Sequence, residues 1–323
     1  MAESNSVSLM DLVHLKEPQH ILTMSGEQRQ RFLESFDWVF SDIDGVIYNL
    51  ESDVPDAGLA YNALERAGKR LTFVTNNSVR TLEQTARRFA KLKIQVAPEQ
   101  IWHPAQTLVY YLRSIQFEGL IYIMASSQFK AVLQQAGFQL LEGPNHFIEE
   151  TYEDLARHIF DKQPVRAVVI DVDFNLTSAK LMRAHLYLRH PDCLLITGAT
   201  DRLLPVGKGV NIIGPGAFAS ILVEASGQPP IVMGKPGRPL GDMLLQQNKI
   251  TDPRRVLMIG DMLAQDVLFG RQLGFQTLLV LTGGCSLHQL LAVTDPDLLP
   301  DYYADSVVDL LQLLPESTPK AHG

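Results

Sequence analysis

The chain has little cysteine: Cys193 and Cys285 are the only two in 323 residues, far apart and without a Cys-x-x-Cys spacing. That leaves no disulfide framework and no zinc pattern, and it fits a reducing compartment. Basic residues are in deficit as well. Against 36 Asp and Glu there are 28 Lys and Arg, a formal net charge of -8 with no basic cluster, which argues against nucleic acid or anionic membrane as the main partner. No apolar run approaches the ~18 residues of a membrane span. The residues from Met1 to Asn5 and onward lack the basic-then-apolar layout of a signal peptide, so the expected location is the cytoplasm. A P-loop is also missing: Gly207-Lys208-Gly209 has no Ser or Thr after its lysine. What remains is 46% hydrophobic and 20% charged, the balance of a globular chain long enough for two domains with real cores.

The most informative stretch runs from Trp38 to Asn49. A short apolar run ends in two carboxylates one residue apart, Asp42 and Asp44, followed by Gly45, which lets the backbone leave a sheet. In open α/β sheets the ligand crevice lies at the carboxyl ends of strands, and two like charges so close need a cation. The plain alternative is a strand followed by an Asp-rich turn.

Downstream, the pattern repeats. Ser25-Gly-Glu-Gln28 reads as a capping box opening a helix to Phe36, and Leu50 to Gly58 as a turn or small flap. Strand Arg70 to Val74 stops in Thr75-Asn76-Asn77-Ser78, whose hydroxyl and amides, with the amino end of the helix from Thr81 to Leu92, suit a phosphate. Ordinary helix capping is the competing reading. After a helix from Pro104 to Ile115, a second α/β series follows: strands Leu120 to Met124, Val165 to Ile170 and Cys193 to Thr197, with helices between them and a helix from Gly216 to Ala225. Within it Asp171-Val172-Asp173 looks like a copy of the opening motif, but Phe174 replaces the glycine, so we read it as acids capping a strand end. The loop Thr200 to Gly209 could reach a neighbouring site, its Leu203, Leu204 and Val206 offering apolar surface and Lys208 a charge. Later come Gly234-Lys235-Pro236, a lysine straight after an apolar strand, and a strand Arg255 to Ile259 delivering Gly260-Asp261, with Asp266 beyond. Strand Thr277 to Leu281 ends in Thr-Gly-Gly, and a last helix is expected near Ser306 to Leu314.

Acids opposed by one lysine and phosphate-type donors are what magnesium-dependent phosphoryl transfer requires: hard oxygen ligands, a positioned anion and charge neutralisation. Asp42 would attack phosphorus, and Asp44 would protonate the leaving oxygen and later deprotonate water.

In this order of motifs, Asp42-x-Asp44-Gly45-Val, Thr75-Asn-Asn-Ser, Gly234-Lys235-Pro and Gly260-Asp261 with Asp266, the chain resembles the haloacid dehalogenase superfamily. It is most similar to the branch containing 4-nitrophenylphosphatase, phosphoglycolate phosphatase and pyridoxal phosphatase. The resemblance runs from about Phe36 to Leu314 and implies a Rossmann-like α/β parallel-sheet core with an inserted α/β cap. It places an N-terminal extension at 1–24, the core at 25–116 and 229–323, and the cap at 117–228. It implies Asp42 as nucleophile, Asp44 as acid/base and Lys235 as a catalytic phosphate ligand, with Gly45, Thr75, Asn76 and Asn77 around the substrate. Asp42, Asp44 through its carbonyl, and Asp261 would hold Mg2+, with Asp266 as a second-rank acid of the metal site. Two departures stand out: Met262-Leu-Ala-Gln265 replaces the usual Arg-Leu-acid-Thr, and the cap loop is aliphatic where relatives often carry an aromatic or histidine. The expected activity is hydrolysis of small phosphomonoesters such as phosphoglycolate, pyridoxal phosphate or 4-nitrophenyl phosphate, with a small phosphorylated metabolite as the partner and a homodimer through the cap. The rival expectation is a catalytically weak or silent phosphate-ligand-binding protein on the same fold.

Overall fold

Short apolar runs broken by glycine and polar turns alternate with amphipathic helices throughout, and they fold as two parallel sheets clad in helices. The computed structural model describes residues 17–50, 52–205 and 210–314. Its strands are, in order, β1 (Gln19–His20), β2 (Trp38–Ser41), β3 (Arg70–Val74), β4 (Ile101–Trp102), β5 (Leu120–Met124), β6 (Gln139–Leu141) and β7 (Val165–Ile170). There follow β8 (Leu194–Thr197), β9 (Leu203–Pro205), β10 (Asn211–Ile213), β11 (Ile231–Val232), β12 (Val256–Gly260), β13 (Gln276–Val280) and β14 (Tyr302–Ala304).

The first sheet has the order β1-β14-β13-β12-β2-β3-β4, with parallel neighbours throughout. Val39 of β2 packs into one core cluster and Phe40 into another, so the strand is buried on both faces, as its unbroken apolar run requires. The chain moves outward from β2 through β3 to β4, then reappears on the other side of β2 as β12. That reversal opens a crevice at the carboxyl end of β2.

The second sheet, β11-β8-β7-β5-β6, is also parallel. The sequence expectation started this unit at 117 and returned to the first at 229, but its packing reaches beyond both. Leu108 and Leu112 of the helix Pro104–Ser114 pack with Ile121, Ile123 and Val169, and β11 pairs with β8. The strand before Lys235 therefore belongs to the second sheet, where the sequence reading had set it among the strands carrying the acids.

Several helix starts match their sequence signals because the capping groups are in place. Ser25 and Thr81 each accept from the backbone three residues on, while Gln28 and Gln84 reach back. Other expectations change. The segment from Leu50 to Gly58 is pinned rather than free: Val54 is buried, and Asp53 pairs with Arg88 at 3.1 Å and Lys91 at 2.7 Å. The loop after Thr200 is an antiparallel hairpin, β9 with β10. The expected last helix is a 3-10 turn, Val307–Gln312, seated on the helix Ala57–Arg66. Among the described residues no helix is long and apolar enough to cross a membrane.

Candidate active site

The alternation of a strand aims the first two acids. Asp42 N–H still donates to Ile259 O of β12 at 2.8 Å, and Ile43 turns into the core, so Asp42 and Asp44 are left to the crevice. Gly45 follows at φ +86°, and a Cβ there would lie 2.2 Å from Asp261 Oδ2. The same carboxylate oxygen sits 2.0 Å from where Gly283 would carry a Cβ, and it accepts from Gly284 N–H at 2.6 Å. The Thr282-Gly283-Gly284 run after β13 thus forms part of the acid's socket, a function its turn-like sequence did not show.

Lys235 enters from the second sheet's edge and is buried. Its ammonium lies 2.8 Å from Asp42 Oδ1 and 2.7 Å from Asp266 Oδ1. The other oxygen of Asp266 accepts from the N–H groups of Asp261 and Met262, at 3.1 Å and 3.0 Å. Both Asp266 oxygens are thus engaged, which makes it the residue that orients Lys235 and the Asp261 turn. Asp42, Asp261 and Asp266 bring carboxylate oxygens within 4.8 Å of one another. Three buried acids then face one ammonium. Burial, followed by the neighbouring charges, pushes Asp42 well above the usual carboxylate range despite Lys235. Burial and then Asp266 raise Asp261 to about 7. Burial by itself would lower the Lys235 ammonium, but Asp266 and Asp42 hold it above its ordinary value. The surplus negative charge, and Asp261 Oδ1 buried without a partner, fit a hard divalent cation bound by oxygen.

A second grouping, His20 with Asp305 and Asp309, does not fit a metal in the same way. His20 Nδ1 accepts from Leu22 N–H, so Nε2 carries the proton and faces Asp305 as a donor.

The side chain of Asp44 stands outside the acid cluster. Arg80 holds its Oδ1 at 2.6 Å, and Thr75 Oγ1 lies 3.4 Å from its Oδ2. Arg80 also lies over the Tyr48 ring. Sequence reasoning missed Arg80, although it stands two residues beyond the Thr-Asn-Asn-Ser quartet and closes the ion pair across 36 positions. The quartet itself divides its work. Thr75 Oγ1 accepts from Asn77 N–H at 2.9 Å, and Asn77 Oδ1 accepts from the N–H groups of Val79 and Arg80, a local turn; the helix cap of the competing reading is Thr81 instead. Asn76 clamps the lysine turn, accepting from Lys235 N–H at 2.8 Å and donating to Lys235 O and to Asp201 of the second unit. Asp201 also accepts from Gln265 at 3.1 Å, so the departure at Gln265 supplies a contact between the two units. Leu203 is exposed and lines a cleft of about 900 Å³ with Arg202, Pro236, Arg238 and Met262, while Val206 and Lys208 lie outside the described residues.

A family model described as haloacid dehalogenase-like hydrolase matches residues 39–139, and one described as HAD-hydrolase-like matches 232–310. The chain is 35% identical to human (Homo sapiens) chronophin over 283 residues, covering 85% of this chain and 92% of that one. It is 34% identical to chicken (Gallus gallus) glycerol-3-phosphate phosphatase over 301 residues, covering 90% and 96%. Among solved structures, the glycerol phosphate phosphatase of Mycobacterium tuberculosis in complex with magnesium shares the fold, with a TM-score of 0.69, 22% identity and coverage of 89% and 81%.

Proposed function

The chain belongs to the haloacid dehalogenase-like hydrolases and is a phosphatase of small phosphomonoesters, and on that premise we propose that it uses magnesium and an aspartyl-phosphate intermediate on Asp42. The observation that carries this reading is the buried Asp42–Lys235–Asp266 bridge beside Asp261, whose free oxygen faces the same acids.

In this mechanism an Asp42 oxygen attacks phosphorus, and the bond to the leaving oxygen breaks with its electron pair. Asp44 protonates that oxygen, then removes a proton from the water that attacks the same phosphorus and releases Asp42. Lys235, fixed by Asp266, balances the charge of the phosphoryl group, and Thr75 stands beside Asp44 where a phosphate oxygen would be met. Arg80 keeps the Asp44 carboxylate in one orientation. Asp42 and Asp261 would hold Mg2+, with the Asp44 carbonyl as the family resemblance implies; the ion would offset phosphate charge and let Asp42 act as a carboxylate. The magnesium named for the Mycobacterium tuberculosis enzyme supports this assignment. Glycerol phosphates, given the relatives, and aryl phosphates, given the family resemblance, are the proposed substrate range.

The test is hydrolysis of a panel of phosphomonoesters by purified protein, with and without magnesium, beside Asp42→Asn. Magnesium-dependent release of phosphate from at least one ester, lost in the variant, is expected. Turnover that ignores both magnesium and the substitution would refute the mechanism.

A further inference from the structure

The sequence set Asp171 aside as an acid capping a strand end. In the structure it is only 2% exposed, and it lies where the second sheet meets the Thr75–Ser78 loop of the first. Its Oδ2 accepts from the Ser78 hydroxyl, and its Oδ1 accepts from Ala199 N–H at 3.2 Å. A Cβ at Gly198 would lie 2.6 Å from the Asp171 carboxyl carbon, so the turn after β8 is wrapped directly onto this acid. Ser78 is fully buried, and its carbonyl accepts from Ser126 Oγ at 2.8 Å. Both polar groups of Ser78 named here are thus held by residues of the second unit. At the other end of the loop, Thr75 N–H donates to Trp102 O of the first sheet at 2.9 Å.

The donors around this acid, Ser78 and the N–H groups of Ala199 and Val172, do not outweigh the effect of its burial. No cation pairs with it among the described residues, and the charge of Asp201 repels it. Burial raises its carboxyl to about 6 against the pull of Ser78 and two backbone N–H groups. A buried charge without a counter-ion is destabilising relative to an apolar residue of the same size, so its presence calls for another role.

We infer that Asp171 is a positioning residue for the loop Thr75–Ser78: by fixing Ser78, it makes the second sheet set where the loop meets a bound phosphate. The inference rests on the proposed placement of phosphate at this loop, and its test reads phosphate binding independently of turnover. The charge-assisted bond from Ser78 to Asp171 is the element that carries the coupling.

The experiment measures the affinity for inorganic phosphate in the presence of magnesium, by calorimetry, and KM and kcat for an aryl phosphate. The variants are Ser78→Ala, Asp171→Ala, their combination, and Asp171→Asn. Each alanine variant should weaken phosphate binding and raise KM by about 10-fold, with kcat altered less than about 3-fold. The combination should be no worse than either single variant, because both remove one contact. Asp171→Asn, which keeps the shape and an acceptor for Ala199, guards against misfolding of the alanine form and should lose affinity as Ser78→Ala does, because the bond to Ser78 is no longer charge-assisted. Unchanged phosphate affinity in Ser78→Ala and Asp171→Asn, or losses that multiply in the combination, would overturn the inference. A wild type that binds phosphate and loses it in these variants, yet hydrolyses no ester, would support the coupling while refuting the proposed activity.

Discussion

Two Asp-x-Asp pairs end two parallel strands of this chain, and they do different work. Asp42 and Asp44 on β2 meet Lys235, Asp261 and Arg80. Asp171 on β7 meets a serine and a backbone N–H, while Asp173 turns back on its own segment, pairing with Lys180 at 2.9 Å and capping Asn175 N–H. The cause lies in the neighbours. Beside β2 stands β12, which delivers Asp261, and Gly45 leaves room for that acid; beside β7 stands β8, which delivers the Gly198-Ala199 backbone and then the like charge of Asp201, and Phe174 is 73% exposed. An acid pair at a strand end becomes a centre for a cation and a phosphate here because several segments bring further charge of both signs to it: Asp261 and Asp266 after β12, Arg80 beyond β3 and Lys235 from the second sheet.

The largest effect that would sharpen this contrast is at the nucleophile. Asp42→Asn should cut kcat by about 10⁴-fold or more, whereas Asp173→Asn should change it less than about 3-fold. Comparable losses at both positions, in folded protein, would erase the distinction. Next in size is Asp261→Asn. It should raise the magnesium concentration for half-maximal rate by at least about 10-fold, measured by titration at saturating substrate. If magnesium restored none of the rate and binding were unchanged, Asp261 would not be a ligand.

The third effect is on stability against pH, where two buried groups pull in opposite directions. Burial of His103, at the start of the helix Pro104–Ser114, lowers its pKa from 6.5 to about 4. The unfolded chain then takes up a proton near 6.5 that the folded one refuses until about 4, so this histidine's contribution falls by about 3 kcal/mol as pH drops through that window. Asp171 is shifted upward, from 3.8 to about 6. The folded chain gains its proton first, so this acid costs stability at neutral pH and the cost is relieved as pH falls from 6 toward 3.8. Asp171→Asn should therefore raise Tm at pH 7 and steepen the loss on acidification, while His103→Gln should flatten it. Parallel curves for all three proteins would show that neither group carries these shifts. The smallest effect is at the hairpin: Leu203→Ser with Leu204→Ser should alter the ratio of kcat/KM between a bulky aryl phosphate and phosphoglycolate by about 10-fold. Equal losses on both, at unaltered Tm, would show that the hairpin does not read the leaving group.

Much of this was legible in the sequence where local pattern and tertiary fate agree. β3, β5 and β7 begin and end where the sequence reading set them, because strands covered on both faces are apolar along most of their length; Arg70 and Arg166 are exposed, and Thr72 is the buried polar residue among them. Asp42, Asp261 and Asp266 lie together around Lys235, while Asp44 lies with Thr75 and Arg80. What could not be read depends on distant partners. The two-residue edge β1 has no periodicity to detect, and β11, whose apolar run was legible before Lys235, is assigned to its sheet only by its pairing with β8. Arg80 looks like any helix-preceding arginine until Asp44 is placed opposite it. Asn76 and Asn77, expected around the substrate, spend their side chains on Lys235, Asp201 and the turn, because a loop that must present a phosphate site first needs its own backbone fixed.

The most direct test of the central claim is to quench the protein in acid during turnover of an aryl phosphate with magnesium, and to map the phosphoryl group by mass spectrometry. The account predicts one phosphoryl group on the peptide carrying Asp42 and none in Asp42→Asn. Turnover at the wild-type rate with no modified peptide, or with the group on Asp44 or Asp171, would contradict it.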